Sequence, residues 1–203
     1  MPRWLKATED RFWELIAERR AAEGDARARL EERIWDLYGG EWSIMFTDLA
    51  GFSRRVDAFG IIEFLSLILD QRELLLPVIA EHDGILIKEE ADSMLLIFRR
   101  PARALACAQA LQARCREANH GRAAQDKLLL CIGLGHGTIL RIGDIDVYGA
   151  EVNAASKLGE DVARAHEILV TTRFAEAVAE TADASRFEAI EDARVPGAQR
   201  FRG

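Results

Sequence analysis

The stretch ILIKEEADSMLLIF, residues 85–98, decides the fold class. Its two apolar ends, Ile85 to Glu89 and Ser93 to Phe98, have the length of β-strands, and a short polar tip at Glu90-Ala91 separates them. Such a tight tip joins antiparallel strands, because parallel strands need a long crossover connection. The hairpin therefore predicts an α+β sheet with helices packed on one face rather than a doubly wound parallel fold.

Outward from this hairpin, short apolar strands alternate with longer helical segments. Further strands are predicted at Trp42 to Thr47, Leu128 to Leu134, Thr138 to Ile142 and Ile168 to Thr171. Helices are predicted at Gly60 to Glu81, Pro101 to Asn119 and Gly149 to Leu158. The GHG sequence around His136 is interpreted as a turn between two strands, and the histidine as a structural residue.

The first forty residues differ from the rest in being dense in Arg, Glu and Ala. Glycines at Gly24 and Gly39-Gly40 punctuate them as helix boundaries do, so we predict an N-terminal helical segment over residues 1–40 and one domain over residues 41–203. Two roles stay open for the segment: a helical hairpin packed on the domain, or a dimerising or signal-transmitting stalk. The helix from Ile61 to Ile79 is apolar beyond one stripe, which fits either a subunit interface or deep burial in its own domain.

Composition excludes several classes of function. With 203 residues and a formal net charge of -7, the chain lacks the basic surface that a nucleic-acid or membrane-surface binder needs. Its apolar stretches are too short for membrane insertion, and residues 1–20 do not resemble a signal peptide. Three cysteines without a CxxC pair indicate a reduced, cytoplasmic protein in which they are buried as small apolar residues.

Three segments carry residues suited to phosphate chemistry. In FTDLAGFS, residues 46–53, Asp48 ends an apolar strand before a glycine-containing turn whose backbone N–H groups can receive phosphate oxygens. Asp92 stands at the tip of the 85–98 hairpin, and two carboxylates converging there would suit Mg²⁺ or Mn²⁺ carried by a nucleoside triphosphate. In DVYGAEVNAASKL, residues 146–158, Asn153 and Lys157 share a helix face and can meet phosphoryl charge. Ordinary turns and an exposed lysine are the simpler alternatives.

In this order the three segments resemble the catalytic motifs of class III adenylyl and guanylyl cyclases. FTDLAGFS resembles their FxDxxGF motif, IKEEADSMLLIF their VKxxGDxxMxxF hairpin, and DVYGAEVNAASKL their DxWGxxVNxASR helix. The resemblance covers about Trp42 to Thr172 and implies a ferredoxin-like, palm-type antiparallel core. It also implies two Mg²⁺ or Mn²⁺ ions per site and a head-to-tail homodimer with composite active sites, inactive as a monomer.

The resemblance implies a role for each matching residue. Lys88 and Asp146 match the adenine-reading pair, and a lysine donor with an aspartate acceptor fits adenine, so ATP is the expected substrate. Asn153 matches the asparagine that orients the ribose, and Lys157 takes the place of the transition-state arginine. The resemblance implies that the metals are bound by Asp48, Asp92 and the backbone carbonyl of Leu49. It implies that the substrate is bound by Ala50, Gly51 and Phe52 of the turn.

The sequence departs from the family pattern at several positions. Lysine at 157 offers a point charge where arginine offers a planar fork, so slower turnover or help from another cation is expected. Ala91 replaces a glycine before the second aspartate, Tyr148 replaces a tryptophan, and Asp144 could exchange roles with Asp146. The candidates for a basic residue that holds the triphosphate are Arg194, Arg200 and Arg202.

Two alternatives to an adenylyl cyclase stay open, and the departures at Lys157 and Ala91 motivate the first. One is a catalytically silent, cyclase-like dimer that binds nucleotide as a regulatory module. The other is a guanylyl or pyrimidine nucleotide cyclase, which requires Glu89 rather than Lys88 to face the base, because a carboxylate can accept a hydrogen bond from the ring N–H of guanine.

Overall fold

The computed structural model of the chain describes residues 9–51, 60–179 and 186–202. The helices are α1 Glu9–Ala21, α2 Gly24–Tyr38, α3 Ile61–Glu81, α4 Pro101–Ala118, α5 Ala150–Lys157 and α6 Thr172–Val178. The strands are β1 Gly39–Leu49, β2 Ile85–Glu90, β3 Ser93–Phe98, β4 Leu130–Ile142, β5 Asp146–Tyr148, β6 Ile168–Val170, β7 Phe187–Ala189 and β8 Gln199–Phe201.

The central strands form a ferredoxin-like sheet. They lie in the order β2-β3-β1-β4, each antiparallel to its neighbours, with α3 and α4 connecting β1 to β2 and β3 to β4. This βαββαβ arrangement confirms the predicted α+β, palm-type fold. Beyond β4 the sheet continues with β6, parallel to β4, and then with β8 and β7; β5 pairs with the far end of β4. The short strands β5, β7 and β8 were not predicted.

Alternation along β1 separates the core from the site. Met45 and Leu49 point into the main core beneath α3 and α4, where they are buried with apolar side chains of β3 and β4. Because successive side chains of a strand point to opposite faces, Phe46 and Asp48 lie on the other face. The alternation of side chains along β1 therefore keeps the Asp48 carboxylate out of the main core.

The expected turn at the GHG sequence is wrong, because β4 is one continuous strand whose residues 130–140 pair with the whole of β1. The glycines serve close packing instead: a Cβ atom at Gly135 would lie 2.7 Å from the backbone oxygen of Glu151 in α5. His136 is a structural residue of the strand, with Nδ1 3.0 Å from the Ser43 hydroxyl and Nε2 3.3 Å from a carboxylate oxygen of Glu41.

The expectation of helices on one face is also wrong. While α3 and α4 cover one face, α5 packs on the other through Val152 and Ala155, which join a second cluster with Trp42, Ile44 and other residues of the sheet. The glycines of β4 bring this helix close to the strands. The face that carries Asp48 is consequently enclosed by a helix, and a cleft can form beside it.

The N-terminal helices pack on the edge of the domain rather than standing away from it. Phe12 of α1 and Ile34 and Tyr38 of α2 are buried together with Ile142 of β4. The ring of Phe12 is also stacked on that of Tyr148 in β5, with centroids 6.2 Å apart. For residues 9–38 this packing is that of a helical hairpin on the domain, and it places α1 next to the short strand that carries Asp146.

Helix α3 buries one face and exposes another. Phe64, Leu67 and Leu75 are buried against the sheet, whereas Ile62 is 73% exposed. The other exposed apolar residues of this helix are Ile61, Leu65 and Leu69. Deep burial of the whole helix in its own domain is thereby excluded.

The burial of the cysteines agrees with their interpretation as small apolar residues. All three cysteines are buried, and burial raises the pKa of each thiol to about 12, as expected for small apolar residues. In the part of the chain that the structure describes, each helix is too short or too polar to cross a lipid bilayer.

Candidate active site

Asp48 and Asp92 converge on one cavity of about 540 Å³ on the α5 face of the sheet. The Ser93 hydroxyl donates a hydrogen bond of 2.9 Å to Oδ1 of Asp48. Asp92 is only 6% exposed, and its backbone oxygen accepts a hydrogen bond of 2.9 Å from the buried amide of Gln71 in α3. The other residues that line the cavity are Phe46, Lys88, Glu90, Ala91, Leu95, Ser156 and Glu160.

Burial and neighbouring carboxylates both disfavour the ionised form of Asp48 in this cavity. Burial is the main cause that raises the pKa of Asp48 to about 6, and the negative charge of Asp92 raises it further. Glu160, just beyond α5, acts in the same direction, while the hydrogen bond from Ser93 opposes the rise. A bound cation would relieve this repulsion.

The donor set fits a metal that arrives with a nucleotide. Among the described residues, no group of three or more His, Cys, Asp or Glu side chains is arranged to hold a metal by itself. Mg²⁺ at phosphoryl-transfer sites is usually held by one or two carboxylates, with phosphate oxygens and water completing its shell. Asp48 and Asp92 supply hard oxygen donors of this number and kind.

The tip of the β2–β3 hairpin keeps the shape that glycine would give it. Ala91 adopts φ 52°, in the left-handed region that glycine occupies freely and alanine does not. The substitution therefore introduces strain at the tip, at a cost of about 1 kcal/mol, while Asp92 still reaches the cavity.

The turn after β1 is only partly suited to phosphate. The backbone N–H of Ala50 already donates to the Leu129 carbonyl at 2.9 Å, so it is engaged within the chain. Gly51 has φ 86°, a left-handed conformation that lets the chain leave the strand sharply. The side chain of Leu49 is buried in the main core, and a metal contact from its backbone carbonyl stays a prediction. Phe52 lies outside the described residues.

Lys88 and Asp146 form a close pair at the edge of the cavity. Lys88 Nζ donates to Oδ2 of Asp146 at 2.6 Å, and the backbone N–H of Val147 donates to Oδ1. Asp144 instead pairs with Arg141 and is 83% exposed, so geometry favours Asp146 as the partner of Lys88. The two residues lie 58 positions apart, and the pairing of β5 with β4 brings them together.

Glu89 faces away from this pair. Its carboxylate lies 3.0 Å from the Arg72 guanidinium of α3, on the helix side of the hairpin. Alternation along β2 thus sends Lys88 toward the cavity and Glu89 toward α3. Lys88 therefore lines the cavity, and Glu89 does not.

Asn153 and Lys157 are exposed on one face of α5, but they open on a different groove, of about 410 Å³. Within a single chain the structure does not bring them to the carboxylates. Arg194 lines the same groove, whereas Arg200 pairs with Glu167 and Glu188, and Arg202 with Glu188. Of the three candidate arginines, Arg194 is therefore the one placed with Asn153 and Lys157.

Sequence reasoning missed three residues at these two sites. Ser93 and Glu160 line the carboxylate cavity, and Arg173 lines the groove. Ser93 directly follows Asp92 at the start of a predicted strand, so its closeness to the carboxylates could have been predicted. Glu160 lies in a π-helical turn, Leu158–Val162, and Arg173 lies just after the three-residue strand β6. Neither position belongs to a sequence pattern that predicts a site residue.

A ferredoxin-like sheet with a carboxylate pair beside a Lys–Asp pair defines a nucleotidyl cyclase type of domain. The family model described as "Adenylate and Guanylate cyclase catalytic domain" matches residues 39–202. The chain belongs to this family. The resemblance found in the sequence motifs is thereby confirmed.

Similarity to individual proteins covers much of this chain but only a small part of its curated relative. The chain is 30% identical over 129 residues to the serine/threonine-protein kinase pkn2 of Myxococcus xanthus; the match covers 64% of this chain and 15% of that protein. A crystal structure titled adenylate/guanylate cyclase/hydrolase from Silicibacter pomeroyi has a TM-score of 0.70 at 23% identity, covering 81% of this chain and 98% of that one. The adenylyl cyclase CyaB from P. aeruginosa has a TM-score of 0.66 at 17% identity, covering 81% and 95%. These structural likenesses show the shared fold.

Proposed function

We propose that this chain is an adenylyl cyclase that converts ATP to 3′,5′-cyclic AMP and pyrophosphate in a homodimer. The single observation that carries the proposal is the Lys88–Asp146 pair, 2.6 Å apart and bordering the cavity of Asp48 and Asp92. A lysine donor can address adenine N1 while an aspartate acceptor receives the 6-amino group. Guanine presents the reverse pattern and would leave both groups unpaired.

Each residue has a defined task in this proposal. Asp48 and Asp92, with the Leu49 backbone carbonyl, would hold Mg²⁺ or Mn²⁺, two ions per site. When bound, these ions would lower the pKa of the ribose 3′-hydroxyl and neutralise charge on the departing pyrophosphate. Asn153 orients the ribose so that the 3′-oxygen lies in line with the α-phosphorus, and Lys157 faces the phosphoryl oxygens as their negative charge grows.

The separation of the two sites within one chain supports a composite active site. Asn153 and Lys157 open on their own groove, so a second subunit must supply the carboxylates for them to act upon a common substrate. A head-to-tail homodimer does this twice by symmetry. The exposed apolar residues of α3, Ile62 above all, provide surface that a partner subunit could cover.

The test of activity is product identification. Purified protein is incubated with Mn²⁺ and each nucleoside triphosphate separately, and the products are identified by mass spectrometry. Cyclic AMP that disappears in Asp48→Ala but persists in Asp144→Asn supports the proposal; Asp144 is exposed and outside the cavity. Cyclic GMP as the main product would refute the role of Lys88 and Asp146. Binding of nucleotide without any cyclic product would favour the silent regulatory module.

The composite site has a test of its own. Two inactive variants, Asp48→Asn and Asn153→Ala, are mixed in equal amounts and allowed to exchange subunits. Half of the dimers are then mixed, and each holds one intact site, so about a quarter of the wild-type activity should return. No recovery despite demonstrated exchange, or full activity in a monomer, would contradict the composite site.

A further inference from the structure

The groove beside Lys157 contains a second cation with an unusual arrangement. Arg173, at the start of α6, lines this groove together with Asn153, Lys157 and Arg194. Its side chain is 70% exposed, and its Nε lies 3.8 Å from Oε1 of Glu151, too far for a hydrogen bond. The guanidinium thus lies near one carboxylate, and its N–H groups make no hydrogen bond within residues 9–51, 60–179 and 186–202.

Glu151 is itself held firmly. Its Oε2 accepts hydrogen bonds from the Thr171 hydroxyl at 2.7 Å and from the backbone N–H of His136 at 3.2 Å. Only 14% of its side chain is exposed. Because Glu151 is fixed and opposite in charge, it favours conformations of Arg173 in which the guanidinium lies close to it.

The other two cations of the groove differ from Arg173. Arg194 donates to both carboxylate oxygens of Asp192, at 2.9 and 2.6 Å, and to the backbone oxygen of Asp161 at 2.8 Å, so its charge is largely neutralised. Lys157 makes no hydrogen bond or ion pair with the described residues, yet its ammonium group is a point charge. It cannot grip two phosphate oxygens in the planar, two-point manner of a guanidinium.

We propose that Arg173, positioned by Glu151, binds the triphosphate of the substrate beside Lys157 and supplies the two-point phosphate contact that the lysine cannot make. This inference rests on the proposed function, since it assumes that the groove receives a nucleoside triphosphate. Arg173 is a substrate-binding residue in this scheme, and Glu151 is a positioning residue. The compensating cation lies outside the sequence motifs, in the first turn of α6.

The main test measures affinity for nucleotides of different phosphate length. The dimeric protein with Mn²⁺ is titrated by calorimetry with AMP and with a non-cyclisable ATP analogue. For Arg173→Ala we expect a loss of about tenfold or more in affinity for the analogue and little change for AMP, because a charged hydrogen-bond pair contributes 1.5–3 kcal/mol, or roughly 10- to 100-fold. Arg173→Lys should recover part of the loss. The matched control is Arg114→Ala, an exposed arginine of α4 that pairs with Glu117.

Coupling between the two positions tests the compensation directly. If Arg173 makes the contact that Lys157 cannot, Lys157→Arg should restore most of the affinity and kcat lost in Arg173→Ala, while adding little to wild type. Glu151→Gln, which keeps an acceptor for Thr171, should show a smaller loss of the same kind. Additive effects, or equal losses for AMP and the analogue, would overturn the proposal.

The outcomes separate this inference from the proposed function. A wild-type protein that binds triphosphates without forming cyclic product refutes the cyclase activity, and the affinity comparison still decides the role of Arg173. Cyclic AMP formation with unchanged analogue affinity in Arg173→Ala refutes the inference alone. A wild-type protein that binds no triphosphate at all refutes both.

Discussion

Replacing Asp48 with asparagine should stabilise the metal-free protein while abolishing its catalysis. The carboxylate is half-buried, and burial together with the charge of Asp92 raises its pKa to about 6 from 3.8. The folded state therefore disfavours the ionised form. Asparagine resembles the protonated acid in shape and can still accept the hydrogen bond from Ser93.

The size of the effect follows from the pKa difference. Two pKa units correspond to about 3 kcal/mol, at 1.36 kcal/mol for each unit. Because Asp48 is only partly shielded from water, screening reduces this to about 1–2 kcal/mol. The stability available to the protonated acid is fully present below pH 3.8 and is lost as the pH rises through 6, so the advantage of Asp48→Asn should develop over that interval.

The assay is urea denaturation of wild type and Asp48→Asn in EDTA at pH 4 and at pH 8. We expect equal stability at pH 4, and an advantage for the variant of about 1–2 kcal/mol at pH 8. Comparing the two proteins cancels the titration of groups that do not interact with position 48. Asp144→Asn is the control, since its exposed carboxylate should change stability by less than about 0.5 kcal/mol at either pH. A variant no more stable than wild type at pH 8 would show that the Asp48 carboxylate is not desolvated, and the reasoning would be refuted.

Three further substitutions test the fold around the site. Ala91→Gly should relieve the left-handed strain at the hairpin tip and raise Tm by about 2–4 °C in calorimetry; a lower Tm would contradict the strain. Gly135→Ala should cost about 1–3 kcal/mol in urea denaturation, because the new methyl group meets the Glu151 backbone oxygen, and wild-type stability would disprove the close approach of α5. Phe12→Ala should cost about 3 kcal/mol at its buried position, while Trp13→Ala, which is 47% exposed, should cost clearly less; equal losses would refute the docking of α1.

The β2–β3 hairpin could be located from sequence because two signals agree there. Its apolar runs have strand length, and its polar tip is too short for a crossover, so β3 begins and ends at Ser93 and Phe98 as predicted. Long helices such as α3 were also within reach, since their apolar spacing extends over several turns. Local patterns of this length record which face is buried.

The errors arose where a glycine has more than one use. Gly135 and Gly137 suggested a turn, yet their purpose is to let α5 approach β4, a tertiary contact that no local pattern encodes. The short strands β5, β7 and β8 have three residues each, too few for any alternation to be seen. Their positions are set by pairing with distant strands.

One part of the candidate site's geometry was predictable from the sequence, and another part was not. Asp48 and Asp92 were expected to converge, and they do line one cavity. The separation of Asn153 and Lys157 from that cavity depends on how α5 crosses the sheet, which motif spacing does not report. Arg173 was not predicted, because the role proposed for it depends on its neighbours in space rather than in sequence.

The stack of Phe12 on Tyr148 has a mechanical consequence. Tyr148 is only two residues from Asp146 on a strand of three residues, so there is little slack between the ring and the carboxylate. A displacement of α1 must therefore either separate the rings of Phe12 and Tyr148 or move β5 as well. A displacement of α1 can thus reach Asp146 and its partner Lys88 without passing through the central sheet.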